Sequence, residues 1–189
     1  MIKEKIKESA GNIAKLLEDE VCLQAIQTAS DWLIAAIRAG NKIMACGNGG
    51  SAADAQHLAG EFLCRFYKDR KPLPLIALTT DTSTLTAIAN DYAYEDVFSR
   101  QIEALGKNGD ILIGISTSGS SKNVLKAFET AKKIGVRTIL LTGAVEREIV
   151  KVSDLTIKSP STDTPRIQET HLLIEHIISE VVEKAFLNG

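Results

Sequence analysis

The sequence predicts an α/β fold, a doubly wound five-stranded parallel sheet in flavodoxin-like order with extra N-terminal helices. Three observations predict it. From residue 42 onward, short apolar runs alternate with helical segments, the pattern that packs helices on both faces of a parallel sheet. Two of those runs end in loops of glycine and small hydroxyl residues, 47–51 and 116–121, and each loop leads into a helical segment. The chain has 189 residues and 44% apolar content, which suits one domain with a substantial core.

Residues 2 to about 39 read as two helices. Ile6, Ile13, Leu16 and Leu17 space the first; Val21, Leu23, Ile26, Ala29, Leu33 and Ile37 space the second. Glu18-Asp19-Glu20 marks the break, and Gly40 is the stop. With no strand between them, these helices either cover a sheet edge or pair with another subunit. A buried strand at 42–46 follows, then Cys46-Gly47-Asn48-Gly49-Gly50-Ser51 and a helix over about 52–67 with Ser51 as N-cap. That helix carries His57, Glu61 and Arg65 at successive i, i+4 positions, on roughly one face. Pro72 and Pro74 lead into a strand at 75–78; helices near 83–89 and 95–105 are broken by Asn90-Asp91. The most apolar strand is 111–115, followed by the serine loop, a helix at 122–134 and a strand at 138–141. A short helix, a strand at 155–157, a loop at 159–165 and a helix of about 20 residues from Arg166 complete the chain. In the order 2-1-3-4-5 the first and third strands are neighbours, so both small-residue loops meet at the switch point where ligands bind.

The charge balance, 22 basic against 24 acidic residues, argues against a nucleic-acid or membrane surface. No apolar run approaches the roughly 20 residues that span a bilayer. Met1-Ile2-Lys3-Glu4-Lys5 lacks the apolar segment of a secretion signal, so a cytoplasmic location is expected. Cys22, Cys46 and Cys64 have no CxxC spacing and read as reduced, mostly buried thiols.

Gly47, Gly49 and Ala52 match the relaxed dinucleotide pattern, but the nearest acid, Asp81, lies about 30 residues beyond the loop, too far for the ribose. No lysine follows the glycines, so no nucleotide cofactor is expected. Ser116, Thr117, Ser118 and Ser121 at a helix start suit a phosphate monoester. His57 and Glu61 suit an acid/base pair or metal ligands, although His-x-x-x-Glu on a helix is more often a surface ion pair. His171 and Glu175 are read as such a pair, and Gln168 and His176 share part of a face of the last helix. The run 65–71 reads as a solvated connection.

Taken together, these motifs resemble those of the phosphoheptose isomerases in the sugar-isomerase (SIS) domain family. The resemblance runs over essentially the whole chain. It rests on Cys46-Gly47-Asn48-Gly49-Gly50-Ser51, Asp54-Ala55-Gln56-His57 through Glu61 and Arg65, Leu85 through Asp91, Ile115-Ser116-Thr117-Ser118-Gly119, and Arg166-Ile167-Gln168-Glu169 with His176. It implies interconversion of sedoheptulose 7-phosphate and D-glycero-D-manno-heptose 7-phosphate, on the way to nucleotide-activated heptose for bacterial surface polysaccharide. It implies Glu61 as base and His176 as acid, with Ser116, Thr117, Ser118 and Ser121 on the phosphate. Asn48, Gly49, Gly50, Ser51, Glu61, Asn90, Asp91 and Gln168 would contact the sugar. His57, Glu61, Gln168 and His176 match the zinc ligands of some members, one ion per subunit. A homotetramer is implied, with residues 1–40 as the oligomerising helical segment and 41–189 as the SIS domain. One departure is Pro165, where some members carry Asp. Two other classes share the loops: a non-catalytic relative that binds the replication initiator DnaA, and phosphosugar sensors attached to DNA-binding domains. Glu61 together with His176 favours the enzyme, and the first 40 residues hold no helix-turn-helix.

Overall fold

Five strands, β1 (Ile43–Gly47), β2 (Leu75–Ala77), β3 (Ile111–Ser116), β4 (Arg137–Thr142) and β5 (Leu155–Lys158), form one parallel sheet in the order β2-β1-β3-β4-β5. The computed structural model describes residues 1–187. The helices are α1 (Ile2–Leu17), α2 (Glu20–Arg38), α3 (Gly50–Leu63), α4 (Thr82–Asp91), α5 (Ser99–Leu105), α6 (Lys122–Lys133), α7 (Glu148–Val152) and α8 (Thr164–Phe186). Strand and loop order agree with the sequence expectation.

Alternating strand residues feed two cores. Ile43, Ala45, Ile111, Ile113 and Ile115 pack with α2, α3 and α8 through Leu33, Leu58, Phe62, Ile174 and Val182. Met44, Cys46, Leu112 and Leu140 pack with α5 and α6 through Ile102, Val124 and Phe128 on the other face. The N-terminal question divides between the two helices. Ala29 and Leu33 of α2 are fully buried in the first core, whereas Ile2, Ile6, Ile13 and Leu17 of α1 are exposed.

Several boundaries differ from expectation. Gly49, at φ +59°, caps α3, and the helix begins at Gly50. Ser51 is therefore not the cap; it lies within the first turn and is buried. Only a residue free to take left-handed φ closes this turn so early. At its other end α3 stops at Leu63, so Arg65 does not share a helical face with His57 and Glu61. The expected helix at 95–105 divides into a 3₁₀ turn, Tyr94–Asp96, and α5. The last helix starts at Thr164, with Pro165 in its first turn, where a missing N–H leaves no bond unmade. No helix among the described residues is long and apolar enough to cross a membrane.

Candidate active site

The carboxyl ends of β1 and β3 are neighbours, and side chains tie the glycine loop to the start of α6 and to the 3₁₀ turn. Asn48 Nδ2 donates to Asn123 Oδ1 at 2.9 Å, and Asn123 Nδ2 donates back to Asn48 Oδ1 at 2.8 Å. The Tyr94 hydroxyl donates to the same Asn48 oxygen at 3.0 Å. Asn123 and Tyr94 escaped the sequence reading. Asn123 lies two residues past the serine loop, which is a weak clue, and nothing in spacing links Tyr94 to Asn48.

In the serine loop, the Ser116 and Ser121 hydroxyls are 2.8 Å apart, as are those of Ser118 and Ser120. Ser121 is the N-cap residue of α6, yet its side chain makes no cap bond and turns to Ser116 instead. The Thr142 hydroxyl braces the loop by donating to the Ser116 carbonyl at 2.8 Å. A cleft of about 170 Å³ opens beside it, lined by Thr117, Ser118, Arg147 and Thr162 among others. A larger cleft, about 430 Å³, lies between α1 and the loop before α8 and is lined by none of the candidate site residues.

The glycine loop also meets α8. A Cβ on Gly50 would collide with Gln168 Nε2, so the missing side chain is what lets Gln168 reach the start of α3. Two turns further along α8, His176 faces α3: His57 Nε2 and His176 Nε2 are 2.8 Å apart, and His57 Nε2 is 3.5 Å from Glu61 Oε1. At 2.8 Å the two imidazole nitrogens are within hydrogen-bonding distance of each other. One ligand atom from each of His57, Glu61 and His176 lies within 4.8 Å of the others. Two imidazoles and a carboxylate form a donor set that suits a borderline cation. Asn90 and Asp91 end α4, exposed, and Asn90 Nδ2 donates to Asp91 Oδ1 at 2.8 Å.

His171 and Glu175 are not the surface ion pair their spacing suggests; both are buried, because α8 packs against α2, α3 and β4. Burial holds His171 down at about 4, so its neutral ring donates from Nε2 to the Thr142 carbonyl at 3.2 Å. Among the described residues neither Glu175 oxygen has a hydrogen-bond partner, and the same is true of Asp54 Oδ2. Burial, reinforced by the Asp54 charge, pushes Glu175 up to about 9. Burial, partly offset by His57, pushes Asp54 up to about 6. The run 65–71 is likewise more than a solvated connection, because Arg70 and Glu183 form a buried ion pair there, at 3.4 Å. Cys22 and Cys46 are buried and Cys64 is exposed; burial pushes Cys46 up to about 12, which leaves it unreactive.

The parallel sheet in this order, with a glycine loop after its first strand and a serine loop after its third, is an α/β arrangement of the doubly wound class, and a family profile described as "SIS domain" matches residues 6–143. The similarity extends to named relatives along the chain. A phosphoheptose isomerase of Aneurinibacillus thermoaerophilus is 53% identical over 188 residues, covering 100% of this chain and 95% of that one. A phosphoheptose isomerase of Clostridium acetobutylicum is 50% identical over 183 residues, covering 97% of this chain and 93% of that one. Among solved structures, the phosphoheptose isomerase of Francisella tularensis superposes with a TM-score of 0.93 at 34% identity, covering 97% of this chain and 96% of that one. The chain belongs to the phosphoheptose isomerases of the SIS domain family.

Proposed function

We propose that the chain interconverts sedoheptulose 7-phosphate and D-glycero-D-manno-heptose 7-phosphate through an enediol, feeding nucleotide-activated heptose into bacterial surface polysaccharide. The observation that carries this reading is the convergence of His57, Glu61 and His176 from two helices in a chain of this family. Glu61 removes a proton from C1 of the ketose and returns it to C2. His176 protonates the C2 oxygen and takes the proton of the C1 hydroxyl, which balances the isomerisation. Ser116, Thr117, Ser118 and Ser121 hold the phosphate, the Ser116 and Ser121 hydroxyls being already paired with each other in the loop. Asn48, Gly49, Gly50, Ser51, Asn90, Asp91 and Gln168 line the sugar, with Asn48 fixed by Asn123 and Tyr94.

His57, Glu61, Gln168 and His176 would hold one zinc ion per subunit, Gln168 offering its amide oxygen. Zinc, when bound, supplies Lewis-acid polarisation of the carbonyl. We further assign residues 1–40 to oligomerisation, 41–189 to phosphosugar isomerisation, a homotetramer as the assembly and the cytoplasm as the location. The exposed apolar row on α1 and exposed Leu172 and Ile177 of α8 support a covered face.

The test is incubation with sedoheptulose 7-phosphate, following aldose formation and solvent deuterium uptake by NMR with and without added zinc. Conversion with label entering the carbon skeleton is expected. Absence of conversion under both conditions would replace the enzyme reading with a binding role.

A further inference from the structure

A carboxylate near the end of α8 holds the loop that leaves α3. Glu183, its side chain 3% exposed, accepts from the backbone N–H groups of Phe66 at 2.7 Å, Tyr67 at 2.8 Å and Lys68 at 3.1 Å. Arg70, its side chain 2% exposed, lies 3.4 Å from the same carboxylate. Its guanidinium also donates to the carbonyls of Phe62 at 2.8 Å and of Glu61 at 2.8 Å. Those carbonyls belong to the last turn of a helix, where backbone acceptors have no partner within the helix. One ion pair thus grips the backbone of Glu61 on α3 and reaches α8 seven residues past His176.

The loop held this way sets the Phe66 ring 5.7 Å from the His176 ring, with Tyr67 stacked edgewise on Phe66 at 4.4 Å. Nothing in the proposed chemistry uses Arg70, Glu183 or Phe66. Apolar side chains of similar size would hold two helices together at least as well, since burying both charges carries a desolvation penalty. Directed donors and acceptors add a fixed register between the two helices and a fixed path for the loop.

We propose that Arg70 and Glu183 are positioning residues. They set α3 against α8 and, through Phe66, the ring of His176, so that His57, Glu61 and His176 converge. The kinetic consequence rests on the isomerase reading, whereas the geometric one does not.

The chain has three histidines, so the full-length, metal-free protein gives three sets of ring-proton signals by NMR. Phe66→Leu identifies the ring-current displacement of His176. Glu183→Gln and the milder Arg70→Lys are expected to move the His57 and His176 signals while the His171 signal, buried near β4, stays in place and certifies the fold. With sedoheptulose 7-phosphate, kcat is expected to fall about 10- to 100-fold in both variants with KM nearly unchanged, as for other groups that orient site residues. Unmoved His57 and His176 signals in both variants would overturn the proposal. Loss of the His171 signal in both would also overturn it, because the pair would then serve the fold alone. If the signals move as expected but the unaltered protein does not convert the sugar, the positioning role stands and the isomerase reading falls.

Discussion

At the residue scale the protein holds two unlike sets of ionisable groups within a few turns. His57 and Glu61 remain partly accessible, 39% and 22% by side chain, which the roles proposed for them require. Glu61→Gln and His176→Ala are each expected to lower kcat by about 10²- to 10⁴-fold, the usual contribution of general acid–base catalysis. Calorimetry with the phosphosugar should show near-native affinity in both; near-normal turnover in either would remove that residue from the chemistry. Glu175 is the opposite case, sealed in and unpartnered. Its carboxyl is raised from 4.5 to about 9 in the folded state, so the folded chain keeps a proton that the unfolded chain has lost. Stability contributed below pH 4.5 therefore drains away as pH rises, until the folded carboxyl ionises at about 9. Glu175→Gln removes this slope. Its melting temperature should exceed the parent's by a few degrees at pH 8 and by less at pH 5, for a gain of about 1–3 kcal/mol. An equal gain at both pH values would mean that another group titrates. His171 and Glu175 also show why a spacing rule fails: i, i+4 places two residues on one face, but only packing decides whether that face meets water.

At the element scale the start of α3 carries the most information. Ser51 is a good cap by residue type, and the strand-loop-helix pattern is legible in the chain. The left-handed turn at Gly49 and the approach of Gln168 to Gly50 are not, because one depends on local closure and the other on a helix more than a hundred residues away. Gly50→Ala should displace the Gln168 amide, so that zinc binding measured against a competing chelator weakens while circular dichroism stays native. Gly49→Ala should instead lower stability by about 1–2 kcal/mol through backbone strain. Equal zinc affinity in Gly50→Ala would take Gln168 out of the ligand set. The far end of α3 is equally unreadable in the chain: Arg65 lies beyond the helix end, and Glu183 accepts from the N–H groups of residues 66–68 that follow it.

At the scale of the whole molecule, α2 buries one face, including Ala29 and Leu33, in the core, whereas α1 presents Ile2, Ile6, Ile13 and Leu17 outward at helical spacing. If this row is an interface between copies of the chain, Ile6→Glu with Ile13→Glu should reduce the sedimenting mass from that of the proposed tetramer, with each chain still folded. An unchanged mass would assign the assembly to another face.

The sequence alone determined the α/β class, the alternation of strands and helices and the two small-residue loops, with the strand order following from the doubly wound class; His57, Glu61, Gln168 and His176 became site candidates through the family resemblance of their motifs. The class and the loops are written in local periodicity and contiguous motifs, because local sterics act over a few residues. Tertiary structure alone decided which histidine meets which, that His171 and Glu175 are sealed in, that Asn123 and Tyr94 fix Asn48, and that Arg70 and Glu183 clamp α3 to α8. Those contacts join residues as much as 119 positions apart. Burial and hydrogen-bond partnership exist only once the helices have packed, so no spacing along the chain encodes them.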